Sequence, residues 1–459
     1  MTTLVVELTA MAHGGSALGR AADKVVFVPY ALPGEVVEAR IVEDHGRWAN
    51  ADLVRVVKAA SDRVAPRCPH FGPPDVPPIE REDGALLQHG CGGCQWQHID
   101  YAAQLRLKQA VVQDQFARVG KLPDVEVRPT IGMDEPWDYR NHVQLHVADD
   151  GGLGFRTLRG HEVVPIWECH IMAPAVGELW ESLDLDFPEV RQVILRGDMG
   201  VDDQLVLMTT DFDELPDIEV DFPVSVNLEL RDGQVVNLIG APWLAAHVAG
   251  RDFRVSATAF FQVNTVMAER LVELVRAALR PMGGESLVDL YAGVGLFGLA
   301  LADSVGQVIA VEAHPTAVED WRANAADLDN ARIIAGPVEA ALAEVRGPIH
   351  LAVVDPPRTG MAPEALDALV ALRPTRIAYV SCDPATLARD AARLANQGYR
   401  PGYVQPVDMF PQTWHIECVA LFERGEGRRS HERQARPDSA RPARGGSRRA
   451  GRPHRENRR

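Results

Sequence analysis

The chain has no uninterrupted run of about eighteen apolar residues, the length a helix needs to cross a bilayer, and no basic-then-apolar leader at its start. The expectation is a soluble, cytoplasmic monomer with no membrane partner. Cysteine is scarce, six in 459 residues. That is too sparse for a disulfide framework, so ligands or nucleophiles are the better reading. Positive charge is scarce too. A formal net charge of −17 argues against a broad basic face of the kind that grips nucleic acid. The shortage is uneven, however. Residues 424–459 hold thirteen Arg against four acids, a net +9, which leaves −26 on the first 423 residues. This tail is rich in Arg, Gly, Pro and Ser without apolar periodicity, the composition of a disordered segment. Its charge suits an RNA backbone, and equally a solubilising tail. Any RNA groove on the folded body must then be local.

What is present falls into four stretches, and the length allows a sizeable core in each folded one. Residues 1–60 alternate apolar and polar side chains over Val5–Leu8, Lys24–Val28, Glu35–Ile41 and Ala51–Val57, with turn signals at Gly14-Gly15, Pro33-Gly34 and His45-Gly46. Short strands at this spacing predict a small antiparallel β-barrel, OB-like in size. Residues 61–252 predict a mixed α+β central domain. The apolar spacing of 99–119 suits a long helix stopped by Gly120, and strand-like runs follow at Val143–Val147, Val193–Leu195, Leu205–Leu207 and Ser225–Leu228. Here lie Cys68, the pair Cys91-Gly-Gly-Cys94, and Cys169. Cys-x-x-Cys alone is a generic metal or redox signal, and no thioredoxin-like unit surrounds it. Four thiolates are enough to close a tetrahedral zinc site or to hold an iron–sulfur cluster, and spacing alone favours zinc. His70, His89, His98 and His170 are near enough in sequence to replace a ligand. Pro73-Pro74 and Pro77-Pro78 mark a surface insertion, and Arg140, His142, Arg156 and Arg159 are weak phosphate candidates.

Residues 253–423 change to βα units, which predicts an open, doubly wound, Rossmann-like sheet. Ser286–Tyr291 leads into Gly293-Val-Gly-Leu-Phe-Gly298, and Gln307–Glu312 ends in a carboxylate. Ile349–Asp355 leads into Pro356-Pro357-Arg358, and Ile377–Val380 into Ser381-Cys382-Asp383-Pro384. Gly402–Met409 and Ile416–Phe422 read as a closing pair. Ligands of such sheets bind beyond the carboxyl ends of the parallel strands. Tyr291, Glu312, Asp355 and Cys382 each end a different strand, and Glu417 begins an antiparallel one, so all five should share one rim. A thiol just before a helix N-terminus is favoured as thiolate, the nucleophilic form; the competing reading is a buried Cys packing as a small hydrophobe. The glycine loop fits a nicotinamide or flavin cofactor as well as S-adenosylmethionine (SAM), with Glu312 placed to hold ribose hydroxyls. Asp355-Pro-Pro-Arg358 resembles the Asn/Asp-Pro-Pro loop of SAM-dependent base methyltransferases. Arg358 stands where those acting on exocyclic amines carry an aromatic residue, which points to a ring carbon as target.

The resemblance then becomes specific. Phe260-Phe-Gln-Val-Asn264, Asp289-Leu-Tyr-Ala-Gly-Val-Gly295, Asp355–Arg358, Tyr379–Asp390 and Met409-Phe-Pro-Gln-Thr-Trp-His-Ile-Glu417 resemble, in order, the RNA uracil-5 methyltransferase family. Gly14-Gly-x-Ala-x-Gly19 and Leu32-Pro-Gly-Glu35 resemble its TRAM barrel. The likeness implies SAM held by Gln262, Tyr291, Glu312 and Asp355, with Cys382 as nucleophile and Glu417 as base. It implies a [4Fe–4S] cluster on Cys68, Cys91, Cys94 and Cys169, structural zinc being the alternative. RNA is the implied substrate, 23S ribosomal RNA before transfer RNA. A catalytically inactive RNA-binding iron–sulfur protein is the reading from a different class. Departures from the pattern are the long gap between Cys68 and Cys91, Asp383 and Trp414 where Asn and Gly are more usual, and the Arg-rich tail. The chemistry agrees with the residues. Uracil C5 is a weak nucleophile until a thiolate adds at C6, and a base must afterwards remove the C5 proton. The target base must also leave its stack, so a single-stranded or flipped nucleotide is expected. Cys418, beside Glu417, should point to the opposite face of its strand and is assigned to packing.

Overall fold

The computed structural model describes residues 2–74, 79–80, 86–183, 189–211, 215–216 and 218–425. Pro77-Pro78, and the Arg-rich tail beyond Gly425, lie outside the described residues. Thr3–Met11, Ala17–Ala21, Lys24–Val28, Val36–Asp44 and Trp48–Lys58 close into a five-stranded barrel. Alternation along the strands sends Val6, Leu8, Val26, Val28, Val37, Ala39 and Ala51 inward, as the two-residue period of a strand requires. The expected antiparallel pairing needs one correction. Lys24–Val28 runs parallel to Trp48–Lys58, because strands in a closed ring of odd number cannot alternate direction all the way round.

The central region is a seven-stranded sheet in the order Val163–Pro165, Leu153–Arg156, His142–Val147, Val190–Arg196, Leu205–Thr210, Ser225–Glu229, Val235–Ile239. Val143, Leu145, Val193, Leu195, Val206 and Leu228 form its core with Val176 and Leu179 from the helix Pro174–Glu181. The helix Tyr101–Arg118 is capped by Asp100, whose side chain accepts from the Ala103 amide. Its apolar stripe does not serve this sheet. Val111, Val112 and Phe116 instead join a core that runs from the barrel to the C-terminal sheet, where Leu387, Ala388 and Ala391 of the helix Pro384–Asn396 meet them.

That C-terminal sheet also has seven strands, β1 (Ser286–Leu290), β2 (Gln307–Glu312), β3 (Ala331–Ala335), β4 (Leu351–Val354), β5 (Arg376–Ser381), β6 (Tyr399–Val407) and β7 (Glu417–Arg424), in the spatial order 3-2-1-4-5-7-6. Strands β1 to β5 are parallel, and β7 lies antiparallel between β5 and β6. Helices cover both faces, so inner strands such as β4 are buried along their whole length and read as unbroken apolar runs. Edge strand β3, with Ile334 alone fully buried, carries no such run, and periodicity does not reveal it. The hairpin Trp243–Val248 with Arg251–Ser256 packs Leu244, Val248, Phe253 and Val255 against the helix Thr265–Leu279, in the same core as this sheet.

Candidate active site

The rim geometry follows from chain direction. Strands β1, β2, β4 and β5 point their carboxyl ends one way, so the next residue of β1, the last of β2, and the first beyond β4 and β5 come side by side. Those residues are Tyr291, Glu312, Asp355 and Cys382. Because β7 runs the other way and pairs Cys418 with Ser381, its first residue Glu417 arrives beside Cys382. All five, with Gln262, line one cleft of about 1580 Å³ that opens to solvent. Gln262 does not cap the following helix; Asn264 does, accepting from the Met267 amide.

The loop after β1 needs its glycines. Gly295 has φ +104°, and a Cβ there would lie 2.4 Å from Leu299 Cδ1. At Gly298 a Cβ would lie 2.6 Å from Asp289 Oδ2, which instead accepts the Gly298 amide at 2.8 Å. Glu312 ties the same loop to β2. Its Oε2 accepts from the Gly293 amide at 2.9 Å, and its Oε1 from the amides of Ala313 and His314 at 2.8 and 2.7 Å. The carboxylate expected to face a ribose is thus first a brace for the loop.

Charge is crowded here. Burial raises Asp355 to about 7 and Asp289 to about 8. Burial, and then Asp355, holds Glu417 well above the usual carboxylate range, with Arg358 opposing. Glu417 is buried, and among the described residues its Oε1 has no hydrogen-bond partner. An orphaned acceptor at the head of a cleft is costly unless a ligand supplies its partner. Cys382 is also pushed up, to about 12, by burial and by the two carboxyls Glu417 and Asp355. The expectation of a resting thiolate at the helix N-terminus is therefore corrected. Asp383 caps that helix, its Oδ1 accepting from the amides of Ala385 and Thr386 at 3.0 and 2.8 Å, so the positive end of the dipole is answered by a carboxylate and not by the thiol. The sulfur must lose its proton as it reacts.

Several lining residues were not foreseen: Phe260, His314, Phe410 and His415. Phe260 is 67% exposed although it neighbours buried Phe261. The doublet Phe260-Phe261 reads as core in sequence; both residues line the cleft, and exposure to solvent separates the two rings. His415 is kept neutral, lowered to about 3 by burial and by Arg358. The segment leading to Glu417 is held from several sides. Lys108 Nζ reaches Asp408 Oδ1 at 2.6 Å and the Phe410 carbonyl at 3.2 Å. Tyr139 donates to the Pro411 carbonyl at 3.0 Å, and Asn264 Nδ2 to the Met409 carbonyl at 3.2 Å. The amides of Gln95 and Trp96 donate to the Gln412 carbonyl.

Away from the rim, Cys68, Cys91, Cys94 and Cys169 line one cavity of about 340 Å³ with Phe71, Phe155, Ile166 and Ile171. All four are free thiols. Burial pushes each upward, Cys68 to about 11, and Cys169 adds to the rise at the other three. Among the described residues, no three His, Cys, Asp or Glu side chains are grouped to hold a metal ion. His170 lines the cavity, whereas His70 is taken up by the Gln88 carbonyl and the Trp167 amide. His89 and His98 do not line it. Arg140, His142, Arg156 and Arg159 do not line the rim cleft. Cys418 is fully buried in the core, as expected.

Residues 244–425 match the family described as tRNA (Uracil-5-)-methyltransferase, and residues 2–54 match the TRAM domain. Similar proteins include an uncharacterized RNA methyltransferase of Streptomyces avermitilis, 38% identical over 437 residues, covering 91% of this chain and 97% of the relative. One from Thermosynechococcus vestitus is 32% identical over 455 residues, with 92% and 98% covered. Among solved structures, Pyrococcus abyssi tRNA (uracil-54, C5)-methyltransferase in complex with S-adenosyl-L-homocysteine superposes with a TM-score of 0.69 at 24% identity, covering 91% of this chain and 100% of that one. That last likeness speaks to the fold.

Proposed function

The chain belongs to the RNA uracil-5 methyltransferase family, whose members are SAM-dependent enzymes, and from that premise we propose that it methylates uracil C5 in RNA through a Cys382–C6 adduct. The observation that carries this reading is the meeting of Cys382 with the orphaned carboxyl of Glu417 in one cleft beside the glycine loop. SAM supplies an electrophilic methyl group. The lining suits it: Gln262, Tyr291, Glu312 and Asp355 surround the cleft beside the glycine loop.

Cys382 gives up its proton to water and its thiolate bonds to C6, which turns the ring into an enolate with electron density on C5. The methyl passes to C5 as its bond to the SAM sulfur breaks, which leaves S-adenosylhomocysteine. The Glu417 carboxylate takes the C5 proton, the C6–S bond breaks, the double bond is restored, and the departing thiolate takes a proton back from water. Burial raises both carboxyls, and Asp355 presses Glu417 further upward, which makes the Glu417 carboxylate a stronger base than usual at the moment it must act. Phe260 is placed to stack on a flipped base.

The four thiols line a single apolar cavity, and thiolates are the donors that both iron–sulfur clusters and tetrahedral zinc sites take. We read Cys68, Cys91, Cys94 and Cys169 as holding a [4Fe–4S] cluster in preference to zinc. Uracil methylation is redox-neutral, so its service is to hold structure, next to the Gln95–Trp96 amides that grip the loop before Glu417. The barrel and the cysteine set together favour 23S ribosomal RNA. Transfer RNA is the second reading, favoured by the family description and by the substrate of the Pyrococcus protein.

Cys382→Ala is expected to abolish methylation while RNA binding persists, and retained turnover would overturn the mechanism. Mapping 5-methyluridines in RNA from a strain lacking the gene decides between the two RNAs.

A further inference from the structure

The turn between the first two barrel strands is closed by the Ala12 amide to the Ser16 carbonyl at 2.9 Å and by the Gly15 amide to the Ala12 carbonyl at 3.1 Å. It does not face open solvent. His13 Nε2 lies 3.3 Å from Asp383 Oδ2, with the two side chains 27% and 22% exposed. Asp383 is the residue after Cys382 and the cap of the helix behind it. Its two oxygens divide the work: Oδ1 takes the helix amides and Oδ2 faces His13. Burial alone would raise this carboxyl, yet His13 and the Thr386 amide hold it down at about 2.

The same turn meets a second element of the cleft. Gly15 has φ +83°, and a Cβ there would fall 2.6 Å from Trp414 Cβ. Only glycine lets the barrel come this close. Trp414 stacks on His415 at 4.1 Å between centroids, and His13 meets Trp414 edge to face at 5.9 Å. The turn is itself held from behind, since Trp96 Nε1 donates to the Gly15 carbonyl at 3.1 Å. So one barrel turn touches the residue beside the thiol and the residue three before Glu417. Asp383 and Trp414, two departures from the family pattern, are its two partners.

We propose that His13 is a positioning residue for the methyl-transfer reaction, setting Cys382 through its contact with Asp383. The barrel then acts on the chemical step as well as on RNA capture. His13 touches no reacting atom. It fixes the side chain that caps the helix on which the thiol's backbone rests. A displacement of the sulfur of the order of 1 Å is enough to matter, because attack on C6 needs close, aligned approach. This inference rests on Cys382 being the nucleophile.

The test is a cycle of single-turnover methylation rates at saturating RNA and SAM, with RNA dissociation constants measured in parallel by filter binding. His13→Ala is expected to lower the saturated rate by about fivefold or more and to leave the RNA dissociation constant within about twofold of wild type. Asp383→Ser keeps a cap for the helix but is too short to reach His13. In that background His13→Ala should add less than about twofold, since the contact is already gone. His13→Gln, which keeps a polar group facing Asp383, should recover part of the rate. A full multiplicative loss in the Asp383→Ser background would overturn the coupling. So would an effect confined to RNA affinity, which would make His13 an RNA contact. A fully active His13→Ala beside an inactive Cys382→Ala removes only this inference, whereas an active Cys382→Ala removes the mechanism it rests on.

Discussion

Gln412 and Glu417 lie five residues apart on one segment, and both are buried, yet their surroundings are opposite. Gln412 is satisfied on every side. Its amide donates to Gln104 Oε1 at 3.1 Å, its own Oε1 accepts from Gln104 Nε2 at 2.9 Å, and its carbonyl takes the amides of Gln95 and Trp96. Glu417 Oε1 has no partner among the described residues, and its carboxyl is crowded by Asp355. The contrast separates two uses of buried polarity. Where the network closes, it fixes a loop; where it is left open toward a cleft, it waits for a substrate. Removing an open group should cost activity and little stability, and removing a closed one the reverse.

The sharpest way to break that contrast is Glu417→Gln. As the base that takes the C5 proton, Glu417 should be worth about 10²–10⁴ in rate, and the stalled Cys382–RNA adduct should appear on a denaturing gel. Stability should not fall with it. A carboxyl whose pKa is raised on folding contributes stability below its unfolded value, near 4.3, and that contribution is lost as pH rises through the higher folded value. Wild type should therefore lose unfolding free energy as the pH rises from the usual carboxylate range through the raised folded value, and Glu417→Gln should lose less of it. An equal pH slope in both proteins, by urea titration, would mean that Glu417 is not strained in the folded state.

Next in size is the closed side. Lys108 and Asp408 are both fully buried and pair at 2.6 Å. Lys108→Met leaves the carboxylate alone in the core and should lower stability by about 3–5 kcal/mol, read as a shift of the urea midpoint. Replacing both partners, Lys108→Met with Asp408→Leu, should restore most of it. If the single substitution leaves the midpoint in place while the rate collapses, the pair belongs to the chemistry and the division drawn above is wrong.

What was legible in sequence follows the same line. The five rim residues could be placed together from strand order alone, because a parallel sheet brings its carboxyl ends to one edge whatever the side chains do. The anchors of the 408–417 segment could not. Lys108 and Asp408 are 300 residues apart, and nothing in local periodicity pairs a buried Lys on one helix with an Asp on a distant loop. His13 and Asp383 are equally remote. The thiolate expectation failed for a local reason. The helix dipole favours a thiolate, but the Asp383 carboxylate, one residue further on, already occupies that end of the helix. The parallel pair in the barrel was hidden because strand count, not strand sequence, demands it.

A smaller effect tests the electrostatics of the thiol. Asp355 titrates near 7, so by pH 8.5 it is charged and helps to hold Cys382 up at about 12. Replacing it with Asn removes that charge, lowers the thiol's pKa, and raises the thiolate fraction at fixed pH. Well below its pKa, a thiol gains about tenfold in thiolate for every 1 by which that pKa falls. Alkylation of Cys382 by iodoacetamide, followed by peptide mass spectrometry, should therefore run several-fold faster in Asp355→Asn at pH 8.5. At pH 5.5, where Asp355 is protonated in the wild type, the two proteins should react alike. If the rate at Cys382 is unchanged at pH 8.5, burial alone holds the proton on the sulfur. The carboxyls of the rim would then act on the uracil ring and not on the nucleophile.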